Sequence, residues 1–349
     1  MKLNKFGIIL CFYFTSLIIL VVYSYSQIDL NLTLSSNYLY QTFQKQLIYL
    51  GYYNRPFSTL IYLLLLLMLY AFYFYILVSA IRHKLIFKQA IQLIIVSAVI
   101  VFFSYPAFSH DIFNYMFDAR IVTKYHLNPY LYSAMDFPND LWTRFMHWTH
   151  RVYPYGPVWL LITLPFSFFG FGKFVFTLCL FKLMFVFFHL GNTFLISRIL
   201  KKVNPNRELL GIAIYGLNPL ILIESLVSPH SEVVMLFFLL VATNTMVSQK
   251  NHFSKIIFLL FSVGIKFTTV ILAPFFIFSE RISKKWRIDT IFRMLIIFLT
   301  LPLIFQISIR EPYPWYFIPF IGLSALIPES KNINVLIISI SIGALLRYV

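Results

Sequence analysis

In SHDIFNYMFDAR, residues 109–120, Asp111 and Asp118 stand seven positions apart with Tyr115 between them. Seven positions are two helical turns, so in helical form both carboxylates share one face. A carboxylate where a membrane protein meets water can take a proton from a hydroxyl, which makes Asp111 the leading candidate for chemistry. A second reading stays open: placed directly after an apolar run, Asp111 can be a helix N-cap. Asp118 reads as an ion-pair partner of Arg120, Lys124 or Arg310 rather than as a second catalyst.

Other islands carry ionisable groups in apolar surroundings. In NPLILIESLVSPHSE, residues 218–232, His230 and Glu232 follow Pro229, and a His two residues from a carboxylate in a membrane protein points to function. Lys266 interrupts an apolar run, is costly to bury unpaired, and has the charge to neutralise a phosphate. Arg310, ahead of EPYPWY, either snorkels to the interface or contacts an anion. Trp142, Trp148 and Trp159, with Arg144, His147 and Arg151, form either an amphipathic helix on the headgroups or a platform for sugar rings. Asn128-Pro129-Tyr130 and Tyr153-Pro154-Tyr155-Gly156-Pro157 read as loop punctuation.

The elements that must hold these groups are membrane helices. Of 349 residues 60% are hydrophobic and 11% charged, well below the roughly 25% charged of a soluble domain. The net charge of +16 comes largely from short basic loops between apolar runs, the positive-inside pattern, so no nucleic-acid partner is expected. Cys11 and Cys179 both fall in apolar stretches, which rules out a disulfide framework or a CxxC metal site. With Lys2 and Lys5 inside, run 6–25 goes out, 58–80 returns, and 90–107 goes out again. The interval 104–159 then lies outside; it holds four of the twelve acidic residues and four of the eight histidines.

Run 158–169 is too short to span, 174–197 is a full span, and 209–223 and 233–248 lead out and back to Lys250. Basic groups flank 256–278 on both sides, so a broken hairpin turning near Gly264 and Lys266 fits the charge rule, with one continuous span as the alternative. Run 290–308 goes outward again, and 317–327 and 333–346 close the chain. The expected fold is all-α: a polytopic membrane helix bundle of about nine to twelve helices, half-spans included. It forms one domain over 1–349, with a large extracytoplasmic loop, 108–157, after the third span.

Together these segments resemble the multi-pass glycosyltransferases of the GT-C superfamily, in particular bacterial polyprenyl-phosphate-mannose-dependent mannosyltransferases. The resemblance runs from about residue 104 to 316. It rests on SHDIFNYMFDARI with NPY downstream, YPYGPVW closing the loop, NPLILIESLVSPHSE, Lys266 followed by Pro274, and the late PWY. It implies an enzyme of the bacterial plasma membrane that uses a lipid-phosphate sugar donor on the outer face, with Asp111 as catalytic base. Relatives commonly carry His-x-Asp where this chain has His230-Ser231-Glu232, which leaves the role of that carboxylate open.

The chemistry of the residues fits. A sugar hydroxyl becomes a competent nucleophile when a carboxylate accepts its proton, an effect worth roughly 10² to 10⁴ in rate. One displacement at the anomeric carbon inverts configuration, as in inverting glycosidases. The departing phosphate needs positive charge, expected from Lys266, Arg310, Arg120 or Arg144. His230 and Glu232 join Asp111 as candidate catalytic residues. His110, Tyr115, Asp118, Asn128, Tyr130, Tyr155, Trp315 and Tyr316 are the expected substrate-facing groups. With no GxGxxG, P-loop or close DxD pair, no cofactor is expected, a divalent metal is not favoured, and activity should persist in chelator. The expected partners are a polyprenyl-phosphate sugar, most simply of mannose, a glycan or lipid-linked acceptor, and membrane lipid. A transporter or lipid flippase, or an O-antigen ligase or polymerase-like enzyme, are the alternatives.

Overall fold

The computed structural model describes residues 5–248 and 252–349, so Lys2 and Lys250, two of the charges used to orient the spans, lie outside the described residues. Before the long polar interval come α1 (Lys5–Ser24), α2 (Tyr38–Ile48), α3 (Arg55–Ile81) and α4 (Phe87–Phe102). Within it lies α5 (Asp111–Thr123). Beyond it follow α6 (Pro157–Phe168), α7 (Phe174–Val203), α8 (Glu208–Gly216), α9 (Pro219–Leu222), α10 (Glu232–Val247) and α11 (His252–Val263). The chain continues through α12 (Ala273–Ile277), α13 (Ser279–Lys285), α14 (Ile288–Ile309), α15 (Ile318–Ser324) and α16 (Lys331–Leu345), and among the described residues no strand occurs.

Among the described residues four segments are long and apolar enough to cross a membrane: Ile9–Gln27, Arg55–Ile81, Phe174–Val203 and Ile288–Ile309. Pro205–Gly216 and Pro219–Val227 add a fifth as a pair bent by 52°. The residue types explain the bend. Pro219 has no N–H with which to continue α8, and the Asn218 side chain accepts from the Leu220 N–H at 2.9 Å to start the helix afresh. Five shorter apolar helices, α4, α6, α10, Phe253–Val263 and Phe267–Ile277, complete a helical membrane bundle. Buried tyrosines join its members: Tyr13 of α1 bonds Ser97 of α4 at 2.9 Å and stacks on Phe72 of α3 at 3.6 Å.

The expected hairpin over 256–278 is present. Helix α11 stops at Val263, a 3₁₀ turn over Phe267–Leu272 leads into α12, and Lys255 at one end donates to Ser279 at the other. A segment whose two ends touch has turned back, so the continuous span is not formed. Run 90–107 ends sooner than expected, because α4 stops at Phe102. Trp142, Arg144, His147, Trp148, Arg151 and Trp159 do not share an amphipathic helix: Leu141–Phe145 is a 3₁₀ turn, and Trp159 is buried on α6.

Basic loops gather at one end of the bundle. Lys201 lies over the Phe87 ring at 5.4 Å and 3.5 Å from Glu208, and Lys202 donates to Asn244 near the end of α10 at 3.2 Å. The 16 residues of α10 then rise to Glu232, a climb of about 24 Å at 1.5 Å per residue. Glu232 and the polar interval are therefore at the opposite end.

Candidate active site

The irregular stretch 103–110 aims α5, and three elements pin it. The Tyr105 N–H donates to Ser24 Oγ at 2.8 Å, the Phe108 N–H to Ser228 Oγ at 2.9 Å, and the buried Lys182 of α7 to Ser104 Oγ at 2.9 Å. Asp111 opens α5, where a carboxylate suits the positive end of the helix dipole. The N-cap position belongs to His110, so the alternative reading of Asp111 as the cap is not realised.

A cavity of about 710 Å³ lies above α5, the size of a ligand site. Asp111 and Asp118 both face it, as their seven-residue spacing predicts, together with His110, Tyr155, Lys266, Arg310, Trp315 and Tyr316. Asp111 is 14% exposed, and burial pushes its carboxyl up to about 6 although Lys266 pulls the other way. Such a group is ionised at neutral pH yet more basic than an ordinary aspartate, a useful balance for a general base. Asp118 is also raised, first by burial and then by the negative charge of Asp111.

Behind this wall the distant islands meet. His230 Nε2 is 3.8 Å from Asp111, its ring stacks on Trp315 at 3.9 Å, and its Nδ1 lies 3.0 Å from Glu224. Burial, reinforced by Lys266, holds this imidazole well below its ordinary pKa, so it is neutral. Tyr115 sits beneath the floor, edge-on to Tyr155 at 5.3 Å, and its hydroxyl accepts from the Ser231 N–H at 3.4 Å.

Lys266 reaches the cavity from the hairpin turn and donates to the buried Glu232. Its height is fixed by backbone contact with the end of the polar loop. The Gly156 N–H donates to Ile265 O at 3.2 Å and the Val158 N–H to Gly264 O at 3.0 Å. A Cβ on Gly156 would lie 2.1 Å from Gly264 O, so only glycine permits this approach. Lys266, Thr268, Gln306 and Tyr316 also border a narrow crevice lined by Leu299, Pro302, Leu303, Pro319 and Phe320, between α14 and α15.

Several expected residues fall elsewhere. Arg120 is not at the cavity: it bonds Asp140 at 2.8 Å and lies over the Trp142 ring at 4.0 Å. Lys124 and Tyr125 also bond Asp140, at 3.0 and 2.7 Å, so neither Arg120 nor Lys124 pairs with Asp118. Burial raises the Asp140 carboxyl, but hydrogen bonds from Tyr125, Arg120, the Trp142 N–H and Lys124 outweigh it and hold it below the usual carboxylate range. This cluster clamps the polar loop onto the end of α5. Arg144 is exposed and away from the cavity. Asn128 serves the turn, accepting from the Tyr130 N–H at 3.0 Å, and the Tyr130 hydroxyl donates to Tyr155 O at 3.1 Å, so both shape the loop without lining the cavity.

The sequence reading gave no role to Asn114, Gln306 or Tyr313, which line the cavity, or to Glu224 behind His230. Asn114 was within reach of helical spacing, three residues after Asp111 and four before Asp118. Glu224 carried the signal of an acid in an apolar run. Among the described residues one group has the donor chemistry of a metal site: Asp29, His110 and His147.

A family model described as alpha-(1->6)-mannopyranosyltransferase, N-terminal domain, matches residues 15–280. No curated protein and no solved structure matches the chain.

Proposed function

From membership of the alpha-(1->6)-mannopyranosyltransferase family, which the match over residues 15–280 shows, it follows that this is a membrane mannosyltransferase, and we propose that its donor is a polyprenyl-phosphate mannose and its acceptor a hydroxyl of a glycan or lipid-linked sugar. In the proposed reaction Asp111 accepts the proton of the acceptor hydroxyl as its oxygen attacks the anomeric carbon. The bond from that carbon to the phosphate oxygen breaks, and the phosphate leaves with the electron pair, met by Lys266 and Arg310. Attack from the face opposite the phosphate inverts the centre. An α-linked product then requires a β-linked donor.

The observation that carries this reading is the shape of the charge in one cavity: a raised carboxylate, Asp111, and the ammonium of Lys266 face the same space. A general base and a cation for the leaving group are what the displacement needs, with no metal at the reacting atoms. Leu299, Pro302, Leu303, Pro319 and Phe320, which line the narrow crevice beside Lys266, Gln306 and Tyr316, are the apolar surface on α14 and α15 against which a prenyl chain would lie while its phosphate stays at Lys266. Basic loops at the far end of the bundle favour that end as cytoplasmic, which would put the cavity on the extracytoplasmic face. A bacterial plasma membrane is the setting proposed for it.

The test supplies the purified chain with polyprenyl-phosphate mannose and an acceptor and measures release of polyprenyl phosphate. Asp111→Asn keeps size and removes basicity, so turnover should fall about 10²- to 10⁴-fold with donor binding retained. Wild-type turnover in that variant would remove Asp111 from the role of base, and absence of release by the wild type would remove the donor.

A further inference from the structure

We propose that Asp29, His110 and His147 bind one divalent transition-metal ion of the zinc class at the rim of the cavity. The three come from separate segments: the turn after α1, the residue preceding α5, and the middle of the polar loop. Their ligand atoms lie within 4.8 Å of one another. Two imidazoles and a carboxylate are a zinc donor set that leaves a fourth position for water. Bonds of about 2.1 Å at tetrahedral angles place ligand atoms about 3.4 Å apart. His110 Nε2 and Asp29 Oδ2, at 3.8 Å, are already near that separation, and the exposed His147 can swing the remainder.

A second observation is independent of the clustering. His110 is 8% exposed, and its Nε2 is buried with no hydrogen-bond partner while pointing toward Asp29. Buried ring nitrogens are ordinarily satisfied, and an orphan facing a carboxylate and a second imidazole is what a ligand nitrogen without its ion looks like. The His147 ring packs against that of His110 with centroids 3.7 Å apart, so His147 is within reach of the site and has to turn off that ring to present a nitrogen beside His110 Nε2. The other oxygen of Asp29 is held by the Tyr52 hydroxyl at 3.3 Å, the kind of outer hydrogen bond that orients a ligating carboxylate.

Such an ion ties the segment after α1 to the start of α5, where Asp111 stands, and to the polar loop at His147. It departs from the expectation that a metal is not favoured, and no step of the proposed transfer is routed through the ion. The inference does not depend on the donor, and its readout is metal content rather than turnover, so its failure leaves the transfer reading untouched.

The test uses the full chain purified in detergent without a polyhistidine tag, stripped with chelator, loaded with Zn²⁺ and gel-filtered before elemental analysis. A single zinc ion per chain should be retained, and Co²⁺ in its place should give the intense visible absorption of a tetrahedral site. His147→Ala and Asp29→Asn should both reduce retained zinc to the buffer level, whereas His150→Ala, at an exposed histidine outside the cluster, should keep it. Zinc at the buffer level in the wild type, or wild-type retention in both His147→Ala and Asp29→Asn, overturns the proposal. Because His147 is exposed, its variant is expected to fold, and an unchanged far-ultraviolet spectrum checks this.

Discussion

Replacing Lys266 by Met separates its ion pair with Glu232 from the contact with a leaving phosphate proposed for it. Its ammonium faces the cavity, and it is also the counterion of Glu232, whose side chain is only 4% exposed. Met keeps most of the stem and removes the charge. Leaving one member of a buried ion pair without its partner costs about 3 to 5 kcal/mol of stability. Losing one charge-assisted contact to a leaving phosphate costs about 1.5 to 3 kcal/mol. At 1.36 kcal/mol per decade, that is a fall of about 10- to 150-fold in kcat/KM. The two penalties part company in the double variant Lys266→Met with Glu232→Gln, where no buried charge is orphaned. Thermal unfolding in detergent and initial rates of polyprenyl phosphate release, measured on the single and double variants, read them separately. The midpoint should recover in the double variant while the rate stays low. If turnover returned to the wild-type level along with stability, Lys266 would be a counterion only, and the assignment of phosphate stabilisation to it would be wrong.

Two further outcomes follow from how the loop is held. Asp140→Asn should lower stability near neutral pH by about 3 kcal/mol, since it leaves the buried Arg120 without its carboxylate. The Asp140 carboxyl is depressed in the folded chain, so its contribution is present above the ordinary aspartate pKa of about 3.9 and is lost as pH falls toward the folded value. The gap in unfolding midpoint between wild type and variant should therefore narrow in acid, and a gap that is constant or widens there would refute the sign. Gly156→Ala should force apart the backbone of the loop and the hairpin turn, because its Cβ would fall 2.1 Å from Gly264 O. Turnover and unfolding midpoint should then fall together, and a wild-type midpoint would show that this contact is not needed.

What could be read from the sequence was set by local period and by charge. The two-turn spacing put Asp111 and Asp118 on one face, and both line the cavity. The basic residues on either side of 256–278 required a turn, and Lys255 meets Ser279 at its base. The clamp on Asp140 was not readable in this way. Arg120 is twenty residues away, with no spacing rule across irregular chain, and in the sequence both Arg120 and Lys124 stand closer to Asp118 than to Asp140. The tryptophans of 142–159, open between an amphipathic helix and a sugar platform, were undecided for a related reason: the helix is prevented locally, where Asp140 caps a 3₁₀ turn at Trp142 and Pro154 and Pro157 keep the chain extended before α6.

The hairpin break and the glycine contact belong to one physical requirement. A continuous helix would satisfy its own carbonyls and carry Lys266 as one lateral side chain of a span. Breaking the helix after Val263 turns Lys266 toward the cavity but frees backbone groups that need partners elsewhere. The Gly156 and Val158 N–H groups accept that task, donating to Ile265 and Gly264. The loop that carries Tyr155 is thus fastened to the turn that carries Lys266 by the same bonds that make the break tolerable. A cation in this position and a loop closing over Asp111 are for that reason a single structural feature, and a change that restores helix through Gly264 should remove both together.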